Sequence, residues 1–273
     1  MSAAIVTMSR SRQSARRFAA LSRAEGLLLR RNRIALLNAL LLPVVLAYSL
    51  KAFGGLGASG SREFGAMLVT GLTAFALLLA VYCNLVTALV ARREQLVLKR
   101  LRTGETTDAE IFAGTAAPAI AVAWAQIVVA AVAAVVMFGM ARPANAVLAL
   151  VALVLGTAVF ALLAAVSSAA TRTVEMAQVT TLPVLVIPFV LSGLLIPVAM
   201  LPGPLRGLAQ ALPLTPVVEL MRLGLTGTTA AGGHHLGLAA SFGAAAAPVL
   251  VLAAWTIAGA WAARRWFRWE PRR

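Results

Sequence analysis

The chain has 273 residues, 61% of them hydrophobic and only 12% charged, with 24 Lys and Arg against 9 Asp and Glu. So apolar a composition excludes a soluble globular domain, and the single cysteine, Cys83, excludes an intrachain disulfide or a cysteine-built metal centre. A net charge of +15 would suit nucleic acid, but only 6% of residues are aromatic and no basic-aromatic platform is present, so a nucleic-acid partner is not expected.

The charge sits on short islands between long uncharged runs. Residues 1–33 form the first island. Arg16, Arg23 and Arg30 recur every seven residues and stack on one helical face, with Phe18, Leu21, Ala24 and Leu28 opposite. This predicts a basic amphipathic helix lying at the cytoplasmic headgroup layer, as a surface anchor, a docking surface for a soluble partner, or both. The lead-in to Arg33 is too long for the basic start of a secretion signal, so cleavage is not expected.

Six runs then reach the roughly 20 residues that a crossing needs. They are Ile34–Phe53, Phe64–Ala91, Ile111–Phe138, Ala146–Ala170, Ala177–Ile196 and Leu236–Ala263. Backbone groups in hydrocarbon must pair internally, so these are expected to be helices. The predicted fold is therefore an all-α integral membrane protein: a cytosolic N-terminal helix (1–33), a six-span domain (34–263) and a cytosolic tail (264–273). Only Lys51, Arg62, Arg142, Arg206 and Arg222 of the 24 basic residues fall on one side of these spans. The other side collects the rest, which places both termini and the 92–110 segment in the cytosol.

That segment is predicted to be ordered. Leu98 and Leu101 lie three apart among charges, Gly104 can end a helix, and Thr107 with Glu110 reads as a capping box for the third span. Further on, Pro183 and Pro188 kink the fifth run, and from Pro197 to His235, with Pro202, Pro213 and Pro216, the chain is too broken to span. A re-entrant or interfacial helix pair on the outer side is expected there, over Leu205–Leu212 and Val217–Leu225. Glu219 and Arg222 lie three apart on its second helix and can neutralise each other. The last span ends in Trp261, Trp266 and Trp269 among Arg264, Arg265 and Arg268, an interfacial anchor.

Much chemistry is missing. Neither lysine, Lys51 or Lys99, follows a glycine, so no phosphate-binding loop is present. The adjacent His234 and His235 diverge and lack a nearby acidic or cysteine ligand, so no metal and no cofactor is expected. The span interiors hold no Asp, Glu, Lys, Arg or His, which argues against an ion-coupled carrier. Nor does a catalytic constellation stand out on the cytosolic islands.

Two ordered patterns resemble the membrane permease subunit of type-2 ABC exporters over nearly the whole chain. The first is Arg93-Glu94, then Leu98-Lys99-Arg100-Leu101, then Glu110 opening the third span. The second is Ser192-Gly193, Pro197, Leu201-Pro202, Pro213-Leu214-Thr215-Pro216 and Arg222. Leu96-Val97 and Thr103-Gly104 depart from the Gly-Thr and Pro that often flank the first pattern.

The resemblance implies a two-fold assembly of this permease with a second copy or a homologue, on a separate ATPase pair at the cytoplasmic face of the cell membrane. Arg93, Glu94, Leu98, Lys99, Arg100 and Leu101 would form the coupling helix seated in the ATPase. The N-terminal helix would make a second contact, and the chain itself would not be an enzyme. Pro197, Pro202, Pro213, Pro216, Glu219 and Arg222 would form an outer re-entrant gate. The uncharged, Ala-rich spans suit export of an amphiphilic or lipophilic drug or natural product; a polysaccharide or lipid-linked glycan is the alternative cargo. Replacing both Leu98 and Leu101 by Asp should abolish co-purification of the ATPase while membrane insertion is retained, and undiminished co-purification would count against the coupling role.

Overall fold

Runs rich in Ala and Leu can satisfy their backbone in hydrocarbon only by intrahelical hydrogen bonds, and the described elements are helical, with no strand among them. The computed structural model describes residues 61–95, 107–229 and 235–267, with Leu41, Val44, Val45, Ala47, Tyr48 and Ser49. Residues 1–33 with Arg16, Arg23 and Arg30, most of the first run, the stretch holding Leu98, Lys99, Arg100 and Leu101, His234 and the end of the tail lie outside the described residues. Among the described residues, five helices are long and apolar enough to cross a membrane.

Helix α1 is continuous: α-helical over Ser61–Phe75, π-helical over Ala76–Cys83 and α-helical again over Asn84–Glu94. Helix α2 spans Asp108–Phe138. Its start carries the expected capping box: the Thr107 hydroxyl accepts from Glu110 N at 3.3 Å, and Glu110 Oε2 accepts from Thr107 N at 2.8 Å. Its end is Gly139 in the left-handed conformation (φ 61°), whose N–H donates to the Val135 carbonyl at 3.0 Å.

Helix α3, Ala146–Ala170, is capped by Asn145, and α4, Val174–Leu191, by Thr173. α4 stops short of the expected Ile196. The Ser192 hydroxyl turns back to the Phe189 carbonyl at 2.8 Å, and Gly193 follows at φ 84°. After a turn at Val198–Met200 come α5, Gly203–Ala211, and α6, Leu214–Thr226. α6 begins ahead of the expected Val217, because Pro213 caps it and Pro216 falls in a first turn that needs no intrahelical N–H. Helix α7 is Leu238–Trp266, with Pro248 inside it.

α1 and α3 form the centre. α3 packs on α1, α4, α6 and α7, while α1 packs on α2, α3, α4 and α6. Lipid tails are as apolar as leucine, so helices in a bilayer associate through close packing rather than water exclusion. Three glycines supply that closeness. A Cβ at Gly156 of α3 would lie 2.9 Å from Leu77 Cδ1 and 3.0 Å from Val217 Cγ2. One at Gly224 of α6 would lie 2.6 Å from Ala149 N, and one at Gly259 of α7 would lie 3.1 Å from Leu162 Cβ.

These contacts set the depth of α6. Gly224 lies on Ala149 and Val217 on Gly156, so α6 runs antiparallel to α3. At 1.5 Å per residue, Leu214 lies about 20 Å along α3, a helix about 37 Å long. A separate contact agrees. Asn145 Nδ2 donates to Ser241 Oγ at 3.1 Å, while Trp255 Nε1 donates to the Ala211 carbonyl at 2.7 Å. Ser241 and Trp255 are about 21 Å apart along α7. The turn between α5 and α6 therefore sits near mid-height of the bundle.

Gly224→Ala should cost about 1–3 kcal/mol of stability, since its Cβ meets rigid backbone and forces the helices apart. Gly243→Ala on α7, where a Cβ meets nothing within 4 Å, should be neutral or slightly stabilising. Thermal unfolding of the detergent-solubilised variants checks both; equal midpoints would show that the α3–α6 contact yields freely.

Candidate functional site

Two places concentrate polar groups, one at each end of the bundle. The first lies where α1 ends. Arg93 is only 2% exposed, although it belongs to a charged island. Its Nη1 donates to the Ser168 carbonyl at 2.8 Å and its Nη2 to the Thr171 carbonyl. Those carbonyls close α3, where the helix has no further N–H to offer and its dipole is negative. A guanidinium presents its donors in a rigid fork, so it ties the C-terminal ends of α1 and α3 together.

The neighbouring side chains extend this joint. Arg92 Nη1 donates to Thr115 Oγ1 of α2 at 2.7 Å, and Thr115 Oγ1 donates to the Ile111 carbonyl at 2.8 Å. Thr171 Oγ1 donates to the Ser167 carbonyl and lies 2.9 Å from Thr180 Oγ1 of α4. Tyr82, in the π-helical stretch of α1, places its hydroxyl 2.9 Å from Ser167 Oγ. α1, α2, α3 and α4 thus meet in one polar joint where α1 ends. Its hydrogen bonds link α1 to α2 and α3, and α3 to α4.

Of the residues expected at an ATPase contact, Arg93 turns into the bundle and Glu94 is exposed. The joint's other members, Tyr82, Thr115, Ser167, Ser168 and Thr171, were not foreseen. The one available signal was the Ser167-Ser168 pair followed by Thr171 at the end of the fourth run.

The second place is the region around α5 and α6. Pro197 starts the turn at Val198, Pro202 precedes α5, Pro213 caps α6, and Pro216 is buried in the first turn of α6. A cavity of about 280 Å³ lies there, lined by Val198, Arg206, Gln210, Glu219, Leu223 and Thr229 among others. The Arg206 guanidinium donates to the Ala199 carbonyl and, at 3.4 Å, to that of Leu201, holding the turn onto α5.

Glu219 is half-buried, and the charge of Arg222 acts on it from one turn further along α6. The Thr215 hydroxyl, in the first turn of α6, is buried and has no hydrogen-bond partner among the described residues. His235 Nδ1 lies 2.8 Å from the Thr226 carbonyl at the end of α6. Among the described residues no three His, Cys, Asp or Glu side chains group to hold a metal.

The model of the ABC-2 type transporter family matches residues 16–226, well over half of the chain. None of the curated proteins matches it.

Arg93→Ala strands two carbonyls at the end of α3 and should cost about 1–3 kcal/mol. Arg93→Lys keeps the charge but loses the fork, so it should fall between alanine and wild type. Unfolding midpoints in detergent measure both, and three equal values would show that the grip carries no stability.

Proposed function

From the premise that the chain belongs to the ABC-2 type transporter family and is a transmembrane permease component of an ABC transporter, we propose that it exports an amphiphilic or lipophilic small molecule, such as a drug or natural product. A separate ATPase pair at the cytoplasmic face drives it, and the permease pairs with a second copy or a homologue in the cell membrane. Both termini lie in the cytosol. Segment 93–101 is the coupling helix, and the basic N-terminal helix makes the second contact with the ATPase or the membrane surface.

The observation that carries this reading is the joint around Arg93. A push on the coupling segment reaches α1 first, and the buried guanidinium hands it to α3 and thence to α4. An element of this kind needs stiffness, and a hydrogen-bonded buried charge between helix ends supplies it.

Six spans are supported by the five long helices together with Ala47, which packs against Leu68, Leu72, Ala130 and Ala133 beside α1 and α2. The depth of the α5–α6 turn supports a re-entrant hairpin, with Pro197, Pro202, Pro213, Pro216, Glu219 and Arg222 around an outer gate. The uncharged span interiors favour apolar cargo.

Inside-out vesicles containing the chain and its ATPase should accumulate an amphiphilic fluorescent probe only when ATP is supplied, and vesicles with the chain alone should not. Glu219→Ala should lower that uptake more than it lowers assembly, because Arg222 is left without its opposing charge. Uptake that persists without any ATPase and follows an ion gradient would overturn the proposal.

A further inference from the structure

α2 and α3 part along one face and leave a groove of about 730 Å³, lined by Phe112, Ala116, Ile120 and Trp124 of α2 with Thr157 and Leu162 of α3. Its lining is almost wholly apolar. The polar atoms at its far end satisfy each other, since Trp124 Nε1 donates to Thr157 Oγ1 at 3.1 Å. A second cavity of about 610 Å³ adjoins it, shares Phe112 and Leu162, and is lined by Thr107, Asp108, Arg264 and Phe267. The two adjoin at Phe112 and Leu162, and we call them together the slot: an apolar shaft and a charged mouth.

We propose that this slot binds an aminophospholipid of the cytoplasmic leaflet, phosphatidylethanolamine, with an acyl chain in the shaft and the headgroup at the mouth. The inference rests on the orientation proposed above, which puts the Asp108 and Arg264 ends of α2 and α7 in the cytosol.

Length and charge both argue for this occupant. From Phe112 to Trp124 the shaft runs about 18 Å along α2. Half of a roughly 30 Å hydrocarbon core is about 15 Å, so a chain from one leaflet fills it and reaches no further. Alanines 113, 116, 117, 158 and 161 keep its walls low enough for a chain to lie between the helices. Among the described residues the lining of the mouth carries one cation, Arg264, and one anion, Asp108. A phosphoethanolamine headgroup carries the complementary pair, its phosphate for Arg264 and its ammonium for Asp108. Phosphatidylglycerol offers nothing cationic to Asp108, and the methylated ammonium of phosphatidylcholine cannot donate a hydrogen bond.

The test uses the full chain in detergent with chain-brominated phosphatidylethanolamine, phosphatidylcholine and phosphatidylglycerol, reading the tryptophan quenching that Trp124→Phe removes. Phosphatidylethanolamine should bind about fivefold more tightly than the other two, the factor of a single charge contact near a lipid surface. Asp108→Asn should bring it down to the phosphatidylcholine value and leave phosphatidylcholine unchanged. Arg264→Gln should weaken all three.

Equal binding of the three lipids to wild type, or a preference untouched by both substitutions, would overturn the proposal. So would Ala158→Leu changing the oligomeric state without changing lipid binding, which would mark the slot as a seam between copies. Orientation is read separately: Arg264→Cys in a Cys83→Ser background, labelled by an impermeant maleimide from outside intact cells, would reverse the topology while the detergent measurement of lipid preference stands.

Discussion

Gly224 lying on the backbone of Ala149 governs much of this molecule. Within a bilayer no water drives helices together, so proximity must come from surfaces that lack side chains. Where α6 meets α3, one glycine faces an alanine, and a valine faces another glycine. That contact lets a short, proline-started helix of 13 residues lie against one of 25. α6 then brings α5 with it, and the Trp255 bond to Ala211 holds the turn at the same depth from the α7 side. The cavity with Glu219 and Arg206 lies beside this pair.

The opposite end follows a different rule. Buried charge is costly unless its donors are used, and Arg93 turns both Nη groups on carbonyls that α3 cannot satisfy itself. The charge and the helix end each supply what the other needs. Thr171 and Ser167 then tie α3 to Thr180 of α4 and Tyr82 of α1. α1 is thus hydrogen-bonded to both α2 and α3 at this level. Higher up, the π-helical stretch Ala76–Cys83 packs its buried face on α2 and α3, the same helices that the arginine pair grips below. The described bundle is tied at the Arg93 end by hydrogen bonds, and at the other by the Gly224 crossing together with the Asn145–Ser241 bond.

Helix existence was legible because hydrocarbon leaves the backbone one solution, and the runs beginning at Phe64, Ile111, Ala146, Ala177 and Leu236 each appear as a helix. The capping box at Thr107 was legible for a similar reason, since its chemistry is complete within four residues. The end of α4 was less so. The chain reads Leu194-Leu195-Ile196 there, apolar enough to continue a span, and only the turn at Ser192 and Gly193 stops it. Prolines 213 and 216 suggested a break between helices, whereas the second of them sits without strain in a helical first turn.

The amino-acid sequence by itself determined that this is a helical membrane chain, because periodicity and run length are one-dimensional properties. It also carried the two motif patterns that point to a transporter permease. The tertiary structure alone decided that Arg93 faces inward, that Gly156, Gly224 and Gly259 mark the tight crossings, and that α6 reaches mid-height. In a chain where alanine and glycine recur from span to span, spacing cannot say which small residue meets a neighbour. Only the relative rotation and height of packed helices can, and these are set jointly by contacts far apart in the sequence.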